Sequence, residues 1–362
     1  MASELVVPVV KIENVRIHSN SDNLDICDVL GYQMCVPRGK YKGGELAVYF
    51  PADVLIPAEW ADKFGVRNYL KGENKDRVGR VKLRGEPSLG LVVEVPEGLG
   101  WKEGDNVASF YGVQKYIPPI RVSCGDAAAY DEQIDPYFYK FTDVQNGRIF
   151  TDVLQDGEEV IFTEKIHGTS GRVGVIAGHF AAGSMEVRRK MPIIKREDGT
   201  EEAVGFGDEE TARNTYWFPL SIRGVRELLK GVGHDKNPIL YGEVYGGSVQ
   251  SLDYGVPSGK GLGFRVFGLR VNGKFVDWGD LERLCREYGV DIVPVLWRGS
   301  FSMAKAKELA DGTSTMASHM REGCVVYPVK ERDNPKVGRA ILKYISTAYE
   351  LSKHKERDTK DV

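Results

Sequence analysis

Cysteine is scarce and unpaired in this chain: the five residues Cys27, Cys35, Cys124, Cys285 and Cys324 include no Cys-x-x-Cys. An odd number without close spacing argues against a disulfide framework and a zinc knuckle. It fits a reducing compartment inside the cell, the cytoplasm or an organelle. Charge of one sign is missing too, since 49 Lys and Arg against 52 Asp and Glu leave a net charge of −3. That argues against a histone-like basic protein but leaves room for a local basic groove. No stretch approaches the roughly 20 apolar residues of a membrane span. The start, Met1-Ala-Ser-Glu-Leu-Val-Val-Pro8, lacks the positive region and apolar core of a signal peptide. Tandem repeats are absent, and only Glu197 to Glu210 is acidic enough to read as a polar surface loop. No membrane association and no obligate protein partner is expected.

What is present suits two globular domains, with 362 residues of which 42% are hydrophobic. Residues 1–110 read as short strands between glycine turns: Val6 to Val15, Leu24 to Val29, Tyr32 to Pro37, Leu46 to Phe50, Arg80 to Leu83, Gly90 to Val95 and Asn106 to Phe110. Closely spaced short strands predict a small barrel. The segments from Ile17 to Leu24 and from Val81 to Val92 are similar to parts of OB-fold domains, many of which bind oligonucleotides. The loop from Lys63 to Arg84 interleaves Lys and Arg with Phe64 and Tyr69. Such a mixture serves phosphate neutralisation with base stacking, and it reads equally as a solvated loop. His18 has no companion ligands and reads as a turn or core histidine. Residues 111–140, with Pro118-Pro119 and Ala127 to Ala129, break periodicity and form the expected linker. A charged tail occupies 351–362.

From 141 to 350 strands at 159–165, 172–177, 238–245, 263–271, 274–277, 322–329 and 339–346 mix with helices near 220–231, 280–288 and 302–310. Asp280 and Ser302 are the expected caps of the last two helices. The alternating run Glu158 to Glu164 ends on Lys165, followed by Ile166-His167-Gly168-Thr169. A lysine at a strand end with glycine three positions on lets an amine reach a bound phosphorus while backbone approaches the nucleotide. Lys-x-x-Gly alone is common. Four further segments follow in order. Tyr241, Glu243 and Tyr245 share one strand face, where a carboxylate can accept hydrogen bonds from a ribose. Phe264 and Phe267 fall on opposite faces, so one can be core while the other stacks on a base. Glu322 precedes the strand carrying Val325 and Val326, and such a carboxylate can hold a divalent metal. Arg339 and Lys343 share a face with Ile341 and Ile345, and two cations there, if buried, call for phosphate. The cluster Arg188-Arg189-Lys190 can touch ribose or the acceptor strand, or simply face solvent.

In that order, Lys165-x-x-Gly168, Tyr241-Gly-Glu243, Phe264-x-x-Phe267, Glu322-Gly323 and Lys343 resemble motifs I, III, IIIa, IV and V of the covalent nucleotidyltransferases: DNA ligases, RNA ligases and capping enzymes. Glu-Lys-Ile-His-Gly-Thr, Arg-Glu-Gly-Cys-Val-Val and Gly-Arg-Ala-Ile-Leu-Lys-Tyr look like RNA ligases. An OB domain placed before the transferase is similar to the Deinococcus/Naegleria type. The resemblance implies an α+β chain, an N-terminal OB-like β-barrel followed by a nucleotidyltransferase domain of antiparallel sheets with flanking helices. It implies that Lys165 attacks the α-phosphorus of ATP to give lysyl-AMP, with Glu164, Ile166 and Gly168 also binding the nucleotide. Glu243 would bind the ribose, Phe267 in preference to Phe264 would stack on adenine, and Lys343 would contact the α-phosphate. Glu322 would organise Mg2+ or Mn2+, and Arg188 would take the place of the basic residue after motif I. Motif V commonly reads Lys-x-Lys, whereas this chain has Lys343-Tyr344-Ile345, so either Arg339 supplies the missing charge or the phosphate contacts differ. The implied activity is ATP-dependent joining of a 3′-hydroxyl to a 5′-phosphate in RNA repair. Its partners would be RNA ends or a nicked duplex whose 3′-hydroxyl strand is RNA. A DNA ligase, a GTP-dependent capping-type enzyme and a non-catalytic OB-containing binder are the alternatives.

Overall fold

The computed structural model describes residues 5–117, 130–131, 135–195, 201–203 and 205–352. Outside the described residues lie 118–129 and 132–134 of the expected linker, the tail beyond 352, Cys124, and residues 197–200 and 204 of the acidic stretch. The chain divides into two compact units, Ala2–Pro118 with Gly147–Thr151, and Pro119–Asn146 with Asp152–Val362.

In the first unit, Leu46–Phe50 runs between Val9–Lys11 and Leu91–Glu94 in one antiparallel sheet, and Leu24–Val29 runs between Glu13–Ile17 and Tyr32–Pro37 in another. A hairpin, Arg80–Leu83 with Glu86–Leu89, turns through Arg84 and Gly85 at φ of 51° and 96°. Two positive φ values in a two-residue turn match the right-handed twist of the flanking strands. Val7, Val9, Val48, Phe50, Ile56 and Tyr111 are buried at the core. Tyr111 packs edge-on to Trp60, with ring centroids 4.8 Å apart, and to Phe50 at 5.0 Å. Phe64 belongs to this aromatic cluster, whereas Tyr69 is exposed. His18 is a satisfied turn residue: its Nε2 lies 3.0 Å from the Leu83 carbonyl, and Asn20 N–H donates to its Nδ1. Asn106–Phe110 is not a strand. Ala108–Tyr111 is helical because the Asn106 carboxamide oxygen accepts from the N–H groups of both Val7 and Ala108, drawing the chain into a turn.

The second unit is built on two sheets. One has the order Gln145–Asn146, Leu342–Ile345, Gly323–Pro328, Glu159–Lys165, Val295–Ser300, antiparallel apart from its first pair. The other is antiparallel and has seven strands, with Thr169–Ile176 between His179–Gly183 and Ile239–Tyr245, followed by Gly263–Val271 and Lys274–Phe275. Val160 to Glu164 is buried without interruption, as expected of an inner strand covered on both faces. The chain then leaves this sheet at Lys165 and enters the other at Thr169, so Ile166-His167-Gly168 is the bridge between them. Side chains of both sheets, such as Ile161, Tyr327, Val173 and Leu240, share one apolar core with the helix Arg223–Val232.

The Ser302 cap holds, its hydroxyl accepting from Lys305 N–H. Asp280 is no cap: the helix is Trp278–Glu287, and Asp277 before it directs its carboxylate to Lys330 and to Glu331 N–H. Within the acidic stretch, Glu201–Ala203 pairs with Ile193–Lys195, and Glu209–Arg213 is a short helix. Among the described residues, no helix is long and apolar enough to cross a membrane.

Candidate functional site

Between the two sheets lies a cavity of about 350 Å³ lined by Glu164, Lys165, Ile166, Gly168, Glu243, Phe267 and Lys343, together with Phe141 to Val144, Thr163, Ser170, Met185, Val293, Val325 and Tyr327. The antiparallel ladder sets Lys165 opposite Gly323, which brings the neighbouring Glu322 to the lysine. Lys165 Nζ lies 2.7 Å from Glu322 Oε1; the lysine side chain is 28% exposed and the glutamate 5%. A Cβ on Gly323 would come within 2.3 Å of the Tyr344 carbonyl, so this crossing of strands requires glycine. Lys343 lies opposite Val325 on the next strand and faces the same cavity.

The bridge is anchored at each residue. Glu164 is buried, and its Oε2 accepts from both the N–H and the hydroxyl of Thr315, at 2.8 and 2.7 Å. Its Oε1 is buried without a hydrogen-bond partner in the protein. His167, 2% exposed, donates its N–H to the Tyr254 hydroxyl and places Nδ1 3.0 Å from the Tyr349 hydroxyl and 3.8 Å from Glu322 Oε2. Burial, reinforced by the charge of Glu322, pushes the Tyr254 hydroxyl far above the ordinary tyrosine range, so it stays protonated. Gly168 N–H donates to Glu243 Oε1 at 3.1 Å. Ile166 is buried against the core beneath the cavity.

Of the two phenylalanines, Phe267 lines the cavity, while Phe264 is buried against Gly242, where a Cβ would lie 2.4 Å from the Phe264 ring. Tyr241 and Tyr245 do not accompany Glu243 into the cavity. The Tyr241 hydroxyl, its pKa pushed up to about 12 by burial, donates to the Tyr139 carbonyl at 2.9 Å, and the register shift beside it leaves Phe267 as the extra residue of the neighbouring strand.

Two expected cations stand elsewhere. Arg188 is on the short strand Arg188–Arg189 and pairs with Asp135 at 2.8 Å, outside the cavity lining. Arg339 does not share a strand face with Lys343, because the strand is broken: Gly338–Arg339 pairs with Asp333–Asn334, and Leu342–Ile345 joins the five-stranded sheet. Ile341 N–H donates to the Arg339 carbonyl at 2.8 Å, closing a three-residue turn between them. The Arg339 guanidinium binds Glu331 instead, with Nε 2.7 Å from Oε2.

Sequence reasoning passed over Phe141 to Val144, His167, Tyr254 and Thr315. His167 was in plain view inside the lysine hexapeptide, whereas the others come from loops with no periodic signal.

Two sheets facing across a cavity, with a lysine at the bridge and an opposing carboxylate, define an antiparallel-sheet ligase domain. The RNA ligase family model matches residues 158–345, just over half of the chain, and an OB-fold domain model matches residues 6–95. The chain therefore belongs to the RNA ligase family. Solved structures of the Naegleria gruberi RNA ligase are similar over nearly the whole chain. The form with PPi has a TM-score of 0.69 at 21% identity, covering 98% of this chain and 100% of that one. A point mutant with ATP and Mn has a TM-score of 0.67 at 22% identity with the same coverage. Another, with AMP and Mn, has 0.69 at 21% identity, again covering 98% and 100%. No curated protein matches the chain.

Proposed function

We propose that this chain is an ATP-dependent RNA ligase that joins 3′-hydroxyl and 5′-phosphate ends through lysyl-AMP, in the service of RNA repair. The observation carrying this reading is Lys165 at the cavity floor, held by Glu322 and flanked by a carboxylate, a phenyl ring and a second lysine. Lys165 Nζ attacks the α-phosphorus of ATP. The N–P bond forms as the α,β-phosphoanhydride breaks, pyrophosphate leaves, and the amine proton passes to solvent. AMP then moves from Nζ to the 5′-phosphate of the RNA, regenerating the lysine. Attack by the 3′-hydroxyl on that phosphate forms the phosphodiester and releases AMP. Phe267 stacks on adenine, and Glu164 Oε1, lacking a donor, accepts from the 6-amino group of adenine, where guanine carries a carbonyl oxygen that cannot donate. Glu243 receives the ribose, and Lys343 neutralises charge at the α-phosphate.

Mg2+ or Mn2+ fits one position in particular: Glu322 Oε2 is buried with no hydrogen-bond partner. Among the described residues no cluster of three or more His, Cys, Asp and Glu is arranged for an ion. Such a site suits a cation held by one carboxylate with phosphates and water, which would supply charge neutralisation to the triphosphate. His167, fixed by Tyr254 and Tyr349, stands 3.8 Å from that oxygen and walls its protein side without bonding it. Glu322→Gln keeps the shape and removes the charge, and is expected to lower adenylylation about 100-fold. Single-turnover labelling across a metal titration checks this, and wild-type rates in the variant would remove Glu322 from the mechanism.

The decisive experiment on the wild-type chain is incubation with α-labelled ATP, or separately GTP, with Mg2+ or Mn2+, followed by a denaturing gel and a chase with nicked duplexes. Label from ATP alone that chases into a joined RNA strand is the expected result. Label from GTP would make the protein a capping-type enzyme, and preference for an all-DNA nick a DNA ligase. No label under any condition would leave an OB-containing nucleic-acid binder.

A further inference from the structure

Arg339 is a charged side chain almost wholly inside the protein, with 6% of it exposed, and it is not among the residues that line the cavity. Glu331 neutralises it through Nε and Nη2. The remaining nitrogen, Nη1, is buried without a hydrogen-bond partner. What surrounds the guanidinium is aromatic: its central carbon lies 3.9 Å from the ring centroid of Phe275, 5.2 Å from Phe141 and 5.6 Å from Tyr327. A planar cation held on ring faces fixes those rings more firmly than apolar contact alone. Phe141 is the ring that carries this order to the cavity. It stands edge-to-face with Phe267, centroids 4.8 Å apart and planes at 65°, and it packs on Phe275 and Tyr241 as well. Gly268, next to Phe267, makes room for it, because a Cβ there would come within 3.0 Å of the Phe141 ring.

We propose that Phe141 and Arg339 are positioning residues that set the plane of Phe267, so that the base-binding wall of the cavity is formed before the nucleotide arrives. The proposal rests on the reading of Phe267 as the adenine-stacking residue. Phe141 acts through ring contact, and Arg339 acts through Phe141 from outside the cavity. A preformed wall spares the nucleotide the cost of ordering a side chain, so its loss falls on binding and not on the chemical step.

The test measures the ATP dependence of lysyl-AMP formation in the full chain, with KM and the maximal rate separated, for Phe267→Leu, Phe141→Leu, Arg339→Lys and the double variant Phe141→Leu/Phe267→Leu. Phe267→Leu is expected to raise KM on the order of tenfold through lost stacking. Phe141→Leu and Arg339→Lys should each raise KM by roughly three- to tenfold, the worth of an aromatic or cation–π contact, with the maximal rate within about twofold of wild type. The double variant should be no worse than Phe267→Leu, because Phe141 works through Phe267. Arg339→Lys carries the test on its own if Phe141→Leu does not fold. A raised KM in Phe267→Leu with unchanged KM in both Phe141→Leu and Arg339→Lys overturns the proposal. Unchanged KM in Phe267→Leu overturns the stacking reading and this inference with it.

Discussion

Replacing Lys165 by alanine is expected to abolish labelling of the protein by α-labelled ATP, to below one part in a thousand of wild type, because no other amine takes its place at the α-phosphorus. Among the described residues Lys343 is the only other lysine lining the cavity, and it sits across the ladder from Val325, two strands away from the bridge. The substitution also frees Glu322, 95% of whose side chain is covered, from its 2.7 Å ion pair. Because the lysine itself is about a quarter exposed, the stability cost should be about 1–2 kcal/mol, short of the value for a fully buried pair. The unfolding midpoint should therefore fall by only a few degrees, and loss of label can be read as loss of the nucleophile. Joining of a 5′-adenylylated RNA strand, supplied ready-made, needs no lysyl-AMP and should survive in part. Retained labelling in the variant would mean that another residue is the nucleophile, and loss of joining from the pre-adenylylated strand as well would mean that the site has collapsed.

How far the site could be read from the sequence depended on which interactions were local. Gly263–Val271 and Glu159–Lys165 have the expected limits because period-two alternation, ended by turn residues, is written in the strand itself. The same rule misplaced Arg339, since it assumes an unbroken strand, and the three-residue turn at Ala340 depends on the neighbouring hairpin and leaves no local mark. Asn106 misled for the opposite reason: a strand-like apolar run was overridden by one side-chain acceptor bonding two backbone donors. Thr315, Phe141 and Tyr254 could not have been found by spacing. Thr315 meets Glu164 across 151 positions of chain, and Tyr254 meets His167 across 87. Alternation did put Phe264 and Phe267 on different faces, and only packing against Gly242 decides which of them is core.

Gly168→Ala is the smallest change with a comparably large expected effect, and sterics alone predict it. Gly168 does not need a left-handed backbone, as it is absent from the glycines of positive φ. What it needs is space: a Cβ there would lie 2.2 Å from the Val244 carbonyl oxygen, 3.0 Å from Glu243 Cγ and 3.1 Å from the Val244 carbonyl carbon. The nearest of these belongs to backbone in the middle of a seven-stranded sheet, bonded to strands on both sides, so it cannot turn away as a side-chain end would. The bridge must yield instead. Moving it breaks the 3.1 Å bond from Gly168 N–H to Glu243 and shifts His167 against Tyr254 and Tyr349. Lys165 begins that bridge, so its amine moves off the line of attack. A displacement of about 1 Å at a reacting group costs on the order of 100-fold in rate, and overpacking of this kind costs about 1–3 kcal/mol in stability. Adenylylation in Gly168→Ala should therefore fall at least 100-fold while most of the protein remains folded at room temperature. Gly279→Ala is the matched control, because it lies in the helix Trp278–Glu287 with nothing within 4 Å of the added carbon. That variant should label at the wild-type rate and gain about 0.5–1 kcal/mol of stability. Near-normal labelling in Gly168→Ala would show that the bridge tolerates movement, and that the close approach of the two sheets at Gly168 does not set the position of the lysine.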